Sequence, residues 1–257
     1  MDVEPLYVVA LLLATAIGLS LALLGSGGSI ITVPVLVYVA RVPPPQAVGM
    51  SLAIVGGTTL VASLLNARAR LVHLKAALFF SGAGMIGAFG GAQLTHLVSP
   101  PVLLLLFAAL MIAVAAMMFR GRAEAPPAQM VECHWLSCAT TGFAVGGITG
   151  FLGVGGGFVI VPALVHFGGL PLRKAMATSL VVITVVSLAG LIGQLQRTSL
   201  DWRTPGLFLL FALVGMLAGR GFVARTKPEH LRRWFAWFVL AVAAFVVAEN
   251  WQTLVGR

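Results

Sequence analysis

The residues in this chain best placed to do chemistry are clustered glycines with hydroxyls beside them. Gly25, Ser26, Gly27, Gly28 and Ser29 open a stretch that runs through Ile30, Ile31, Thr32 and Val33 to Pro34. Gly153, Val154, Gly155, Gly156 and Gly157 open a near copy that runs through Phe158, Val159, Ile160 and Val161 to Pro162. Each copy sits between long apolar runs. Glycine lacks a Cβ, so backbone there can turn sharply and approach a ligand or another backbone closely. A helix that restarts after such a break exposes N–H groups without intrahelical partners, equivalent to about half a positive charge. The chemistry this predicts is capture of an anion by backbone donors, with no lysine or arginine placed in hydrocarbon. The candidate binding residues are Gly25, Ser26, Gly27, Gly28 and Ser29 in the first copy, and Gly153, Gly155, Gly156, Gly157 and Phe158 in the second.

Side chains that could complete such a site recur at matching places further along. Ser51 pairs with Ser179, Thr59 with Ser187 and Asn66 with Gln194, with Thr58, Thr178 and Thr184 beside them. Hydroxyls and amides donate to an oxyanion at low desolvation cost, so Ser51, Thr178 and Ser179 join the candidates. Taken singly, each such residue is expected to serve as a helix–helix hydrogen bond more often than as a ligand contact.

Other chemistries fit less well. Neither copy has the lysine and hydroxyl of a Walker loop, and Gly153 to Phe158 lacks the third glycine of the dinucleotide fingerprint. An intramembrane enzyme needs a base beside its nucleophile, and no histidine is placed to activate Ser26. Cys133, His134 and Cys138 fall short of the ligand set of a structural zinc site, so the two cysteines are expected to be unpaired thiols near a helix start. His166 and Tyr38 hold matching positions at the ends of short segments, and Glu132 and Glu249 lie near segment ends. No carboxylate falls at mid-membrane to couple protons or sodium. No catalytic residue, metal or cofactor is expected.

What must position these residues is a membrane fold. Of 257 residues, 60% are hydrophobic and 9% charged, and the mean hydropathy is +1.05, which leaves too little polar surface for a soluble domain. Runs such as 102–119 and 235–247 are continuously apolar at helical length, unlike the alternating strands of a membrane barrel. The expected class is an all-α polytopic membrane protein. A net charge of +9 does not mark a nucleic-acid face, because the lysines and arginines fall in short connections between apolar runs. Asp2 and Glu4 precede the first run where a signal peptide needs a basic start, so that run is read as the first membrane segment.

Turn signals and charges divide the chain into apolar segments at 6–24, 29–40, 46–66, 74–97 and 102–119, then at 135–152, 157–167, 174–194, 204–223 and 231–250. The second segment of each five is short: about 12 residues at 1.5 Å each reach ~18 Å, against a hydrocarbon core of ~30 Å. With its predecessor it should form a broken or re-entrant helix pair, with the glycine motif at the break.

A shift of 128 residues aligns 18–117 with 146–245 without a gap, placing Gly18 on Gly146, Pro34 on Pro162, Gly87 on Gly215 and Gly91 on Gly219. Residues 1–122 are read as a first transmembrane repeat, 123–134 as a cytoplasmic inter-repeat linker and 135–257 as a second repeat. An odd parity per half gives the two halves opposite orientations. The charges agree: with the N-terminus outside, only Arg41, Arg197, Arg203 and Arg257 of the 16 lysines and arginines fall outside, a clear positive-inside bias. Glycine-interrupted segments at matching places of inverted repeats point to a transporter's substrate site. Gly87 with Gly91, and Gly215 with Gly219, are spaced by four and are expected to be helix-packing faces instead.

The run Leu152 to Pro162, its partner Leu24 to Pro34, and the Ala177-Thr178-Ser179-Leu180 that follows resemble the TauE/SafE family, the sulfite exporter family of anion permeases. The resemblance covers the whole chain, although Ser26 and Ser29 stand where the second copy has Val154 and Gly157. It implies a multi-pass secondary transporter of the cytoplasmic (inner) membrane that exports sulfite or an organosulfonate such as sulfoacetate. The implied partners are a small anionic substrate and the lipid bilayer, with no nucleic acid, and a homodimer is compatible with them. An interior-negative potential favours anion export by ~2.3 kcal/mol per 100 mV, so a facilitator working by alternating access suffices. The alternative reading is a membrane receptor or scaffold without transport, which the shortage of soluble sequence disfavours.

Overall fold

The structure, a computed structural model, describes residues 5–24, 29–68, 70–119, 135–152, 157–166, 170–196, 198–223, 237 and 239–249, and every regular element among them is helical. The first half comprises α1 (Pro5–Leu24), α2 (Ser29–Pro34, continuing as a π-helix over Val35–Val39), α3 (Pro44–Arg68), α4 (Leu74–Leu94, extended by a 3-10 turn over Thr95–Leu97) and α5 (Pro100–Phe119). The second comprises α6 (Trp135–Leu152), α7 (Gly157–His166), α8 (Leu172–Leu195), α9 (Arg203–Val223) and α10 (Val239–Glu249). Each of the ten expected segments therefore holds a described helix, and of the last, 231–250, the structure describes 237 and 239–249.

Local chemistry accounts for the boundaries. Pro44 and Pro100 open α3 and α5, where a missing N–H costs nothing and the fixed φ suits a first turn. His73 caps α4: its Nδ1 accepts from the Ala76 amide at 3.2 Å. Asp201 Oδ1 accepts from the Arg203 amide at 3.1 Å as α9 begins. Beyond α3, the Leu71 amide reaches Asn66 O at 3.4 Å and the Arg70 amide reaches Ala67 O at 3.0 Å. That is a Schellman closure, and it holds Arg70 at φ 54° where glycine is the usual occupant. Pro34 lies inside α2 and cannot donate to the ladder. The chain answers by widening: Val35–Val39 is a π-helix, closed by Ala40 N to Val35 O at 3.0 Å.

The molecule is apolar outside and partly polar within. Leu12, Leu74, Leu78, Ile86, Leu97 and Trp237 all exceed 60% exposure, while Thr32, Ser51, Thr59, Thr178, Ser179 and Ser187 are fully buried. Such a surface suits lipid, with the hydroxyls kept inside the bundle. Among the described residues, three helices, Pro44–Arg68, Leu74–Leu97 and Lys174–Leu195, are long and apolar enough to cross a membrane.

Helices pair mainly between the halves. α1 packs along α9, α4 along α6, and α3 along α8. Glycines make these approaches close. A Cβ at Gly87 would overlap Phe143 O, and one at Gly91 would overlap Gly147 O. At the positions 128 residues on, a Cβ at Gly215 would overlap Thr15 O, and one at Gly219 would lie 3.3 Å from Leu19 O. The expected packing role of all four glycines is thus observed. The contacts also reciprocate: Gly18 meets Ala212 O as Gly146 meets Gly84 O, and each pair becomes the other when its two residues exchange halves by 128 positions.

Along α3 and α8, Thr59 meets Thr184 and Gly56 meets Ser187, while Gly49 lies near Gln194. Partner numbers fall as α3 numbers rise, so these two equivalent helices run antiparallel. By the same test, α4 and α6 run parallel, and so do α1 and α9. Cys138, in α6, is disulfide-bonded. The expectation of unpaired thiols is therefore overturned for Cys138, and the chain's other cysteine, Cys133, lies outside the described residues.

Candidate functional site

The described helices stop at Leu24 and Leu152 and resume at Ser29 and Gly157. Both glycine motifs therefore fall between two described helices. Gly25, Ser26, Gly27, Gly28, Gly153, Gly155 and Gly156 themselves lie outside the described residues. Ser29 begins α2, while Gly157 and Phe158 begin α7.

Neither resumed helix is long enough to cross a bilayer. Ser29–Pro34 and Val35–Val39 add 6 and 5 residues, and α7 has 10, about 15 Å each at 1.5 Å per residue. α2 runs into the start of α3 through the short connection 40–43, and packs against it. Running back from Val39 therefore carries Ser29 roughly half-way along α3, which is about 37 Å long. α7 packs against α8, and α2 and α7 touch one another.

The candidate hydroxyls behave differently from one another. The Ser51 hydroxyl lies 3.1 Å from Val48 O, and that of Ser179 lies 2.8 Å from Met176 O. Each bonds back along its own helix. The register of α3 on α8 places Ser51 opposite about residue 192, some 20 Å along α8 from Ser179. The two serines are thus not brought to one point: Ser51 is on the helix that carries α2, and Ser179 on the helix that carries α7. Thr178 accepts a hydrogen bond from the His73 amide at 3.0 Å, tying the connection between α3 and α4 to the first turns of α8.

At the centre of the α3–α8 seam the hydroxyls do converge. Thr184 Oγ1 lies 3.0 Å from Thr59 Oγ1 and 2.8 Å from Leu180 O, while Thr59 also reaches Val55 O at 2.8 Å. Ser187, opposite Gly56, is fully buried and its Oγ has no partner.

Gln194 lies at one end of the seam. Its amide donates to Thr95 Oγ1 at 2.9 Å, and Thr95 reaches Phe151 O at 2.9 Å in the last turn of α6. Gln93 Nε2 lies 2.6 Å from Gln196 Oε1 beside them. A carbonyl in the last described turn of α6 is thus held by a side chain at the end of α4, which is itself held by one from α8.

Sequence reasoning passed over Thr32. It sits in α2 with 0% exposure, and its Oγ1 has no hydrogen-bond partner among the described residues. A signal was present, since Ser26, Ser29 and Thr32 follow one another at intervals of three.

A family model described as sulfite exporter TauE/SafE matches residues 10–246. The chain belongs to the TauE/SafE family. Among its relatives, a probable membrane transporter protein of Xylella fastidiosa strain 9a5c is 35% identical over 254 residues, covering 93% of this chain and 94% of the relative. The probable membrane transporter protein YdhB of Bacillus subtilis is 25% identical over 79% of this chain and 83% of its own length. The probable membrane transporter protein MJ0441 of Methanocaldococcus jannaschii is 27% identical, covering 71% and 70%. No solved structure is matched. This TauE/SafE protein is a membrane transporter, a class that moves a substrate without transforming it.

Proposed function

We propose that the protein exports a small oxyanion, sulfite or an organosulfonate such as sulfoacetate, across the inner membrane by alternating access between two inverted repeats. The observation that carries this reading is the pair of short helices resumed after the glycine motifs, which touch each other inside the bundle. Reciprocal contacts at the 128-residue offset support a two-fold relation between repeats 1–122 and 135–257, joined by a cytoplasmic linker over 123–134. Antiparallel packing of the equivalent helices α3 and α8 supports a two-fold axis lying across them. With those helices spanning the bilayer, that axis lies in the membrane plane, which makes the repeats inverted.

In this reading α2 and α7 approach the centre from opposite faces, and the amides of their first turns are the donors. The glycines of residues 25–28 and 153–156 allow the breaks that leave those amides unpaired. Ser51 flanks the α2 side and Ser179 the α7 side. The membrane potential alone supports about a fiftyfold outward anion gradient per 100 mV.

Flux of sulfite and sulfoacetate from proteoliposomes tests the proposal. Wild-type protein should give flux that bulky substitution at both Gly27 and Gly155 abolishes. Flux that survives both substitutions refutes the site, and no flux for any anion in a panel refutes the function.

A further inference from the structure

We propose that Arg68, Arg70, Lys75 and Lys174, gathered at one end of the bundle, hold the head group of an anionic phospholipid whose chains lie along the leucines beside them. Arg68 closes α3, Lys75 and Lys174 lie in the first turns of α4 and α8, and Arg70 sits in the connection between α3 and α4; all four are exposed. Helix register brings them together. The α3–α8 pairing that sets Thr59 against Thr184 and Gly56 against Ser187 carries Arg68 to the level of Ala175. The α4–α8 pairing that sets Gly84 against Val186 and Gly193 against Ala92 carries Lys75 to the level of Ala177. The bond from the His73 amide to Thr178, one turn along α8 from Lys174, pins the connection to the same helix. Along the bundle axis the cations on the three helices thus lie within about one helical turn, ~5 Å. The Schellman closure that holds Arg70 at φ 54° fixes its backbone beside them.

These charges lack a counter-ion among the described residues. The carboxylates there are Asp201 and Glu249, and both stand at the opposite end: Asp201 follows Leu200, which lies against Gly49 near the start of α3, and Glu249 is one turn past Phe245, which stacks on Tyr38. Nor does the fold itself demand such a cluster. The positions equivalent to Arg68, Arg70, Lys75 and Lys174 at the 128-residue offset are Gln196, Thr198, Arg203 and Gln46, a single cation with Asp201 two residues before it. Exposed apolar side chains adjoin the four cations. Leu64 is one turn from Arg68 on α3, while Leu74 and Leu78 flank Lys75 on α4. A free anion would use the cations alone, whereas a phosphate carrying acyl chains uses both surfaces. By the positive-inside bias this is the cytoplasmic end, where the leaflet supplies anionic lipid.

The full-length protein in non-ionic detergent, titrated with phosphatidylglycerol, phosphatidylcholine or glycerol phosphate and followed by native mass spectrometry and thermal unfolding, tests this. Phosphatidylglycerol should bind saturably, about tenfold or more tighter than phosphatidylcholine, and added salt should weaken it. Lys75→Gln with Lys174→Gln should weaken its binding about twentyfold, roughly fivefold for each charge removed. Arg41→Gln with Arg203→Gln removes the same charge from the other end and should change it by less than about twofold. Arg70→Gly separates the lipid role from a structural one: it should raise the Tm without lipid, by relieving the left-handed backbone, and shrink the further rise that phosphatidylglycerol gives.

Cations that serve only to orient the chain predict equal binding of the two lipids and no response to Lys75→Gln with Lys174→Gln, which would overturn the proposal. Equal losses in the two paired variants would assign the effect to overall charge and overturn the site. Glycerol phosphate that binds as tightly as phosphatidylglycerol would mark a site for free phosphate and overturn the lipid as its occupant.

Discussion

Gly87 and Gly90 lie on the same helix three residues apart, yet their replacement by alanine should have opposite consequences. A Cβ at Gly87 would fall on the main chain of α6, overlapping Phe143 O and lying 2.9 Å from Gly147 N. These are backbone atoms, so no rotamer change relieves the overlap, and α4 and α6 must separate by about 1 Å. A gap of that size forfeits about half of the dispersion energy of the atom pairs it opens. Overpacking of this kind costs about 1–3 kcal/mol. A methyl group at Gly90 would meet nothing within 4 Å, and there alanine should be neutral or gain up to about 1 kcal/mol of helix propensity. Thermal unfolding in detergent, followed by monodispersity on a sizing column, reads both. Gly215→Ala, directed at Thr15 O across the α1–α9 seam, should match Gly87→Ala in sign and size. Equal tolerance at Gly87 and Gly90 would refute the close-packing argument. Destabilisation at Gly87 without destabilisation at Gly215 would refute the equivalence of the two seams.

Further outcomes follow from named contacts. Thr95→Val removes the acceptor of Gln194 and the donor to Phe151 O, and should lower stability by about 1–3 kcal/mol, read by thermal unfolding. Thr59→Val and Thr184→Val break a single bond between membrane helices, and a double-mutant cycle should return a coupling of only about 0.6 kcal/mol. Arg70→Gly relieves a left-handed conformation and should stabilise the protein by about 0.5–1 kcal/mol in the same assay.

Much of the fold was legible because its signals are local. Prolines at 44 and 100 and the charges between segments marked helix starts to within a few residues, and the 128-residue repeat identified which helices are equivalent. It could not say which copy packs on which. A helix that is apolar all round, as α1 and α5 are, carries no face that names its partner. That α1 lies on α9 and α6 on α4 therefore emerges only from the structure, although the paired glycines at 87 and 91 and at 215 and 219 had marked the faces. Thr178 accepts the His73 amide, a contact made 105 residues away in sequence that no local pattern announces. Thr32 was missed for the converse reason. Like Ser81 and Ser187 it lacks a partner among the described residues, which sequence does not display.

The two ends of the α3–α8 seam show how far the repeat extends. At one end Gln194 reaches Thr95, and Gln93 reaches Gln196, so α4 and α8 are tied by side chains. The positions equivalent to Gln194, Thr95, Gln93 and Gln196 at the other end are Asn66, Val223, Gly221 and Arg68. Asn66 there bonds Ala62 O in its own helix at 2.9 Å, and the cross-tie is made by main chain, from His73 N to Thr178. Backbone packing is thus copied between the halves while polar ties are not. That division follows from what each kind of contact demands. A glycine seam needs only small residues at a fixed spacing, which duplication preserves, whereas a hydrogen bond between helices needs two chosen side chains and is lost when either changes. The same rule separates Thr32 from Ile160, its equivalent 128 positions on. The repeat keeps the glycine motif and the short helix after it, and leaves each copy free to differ in the side chain that helix buries.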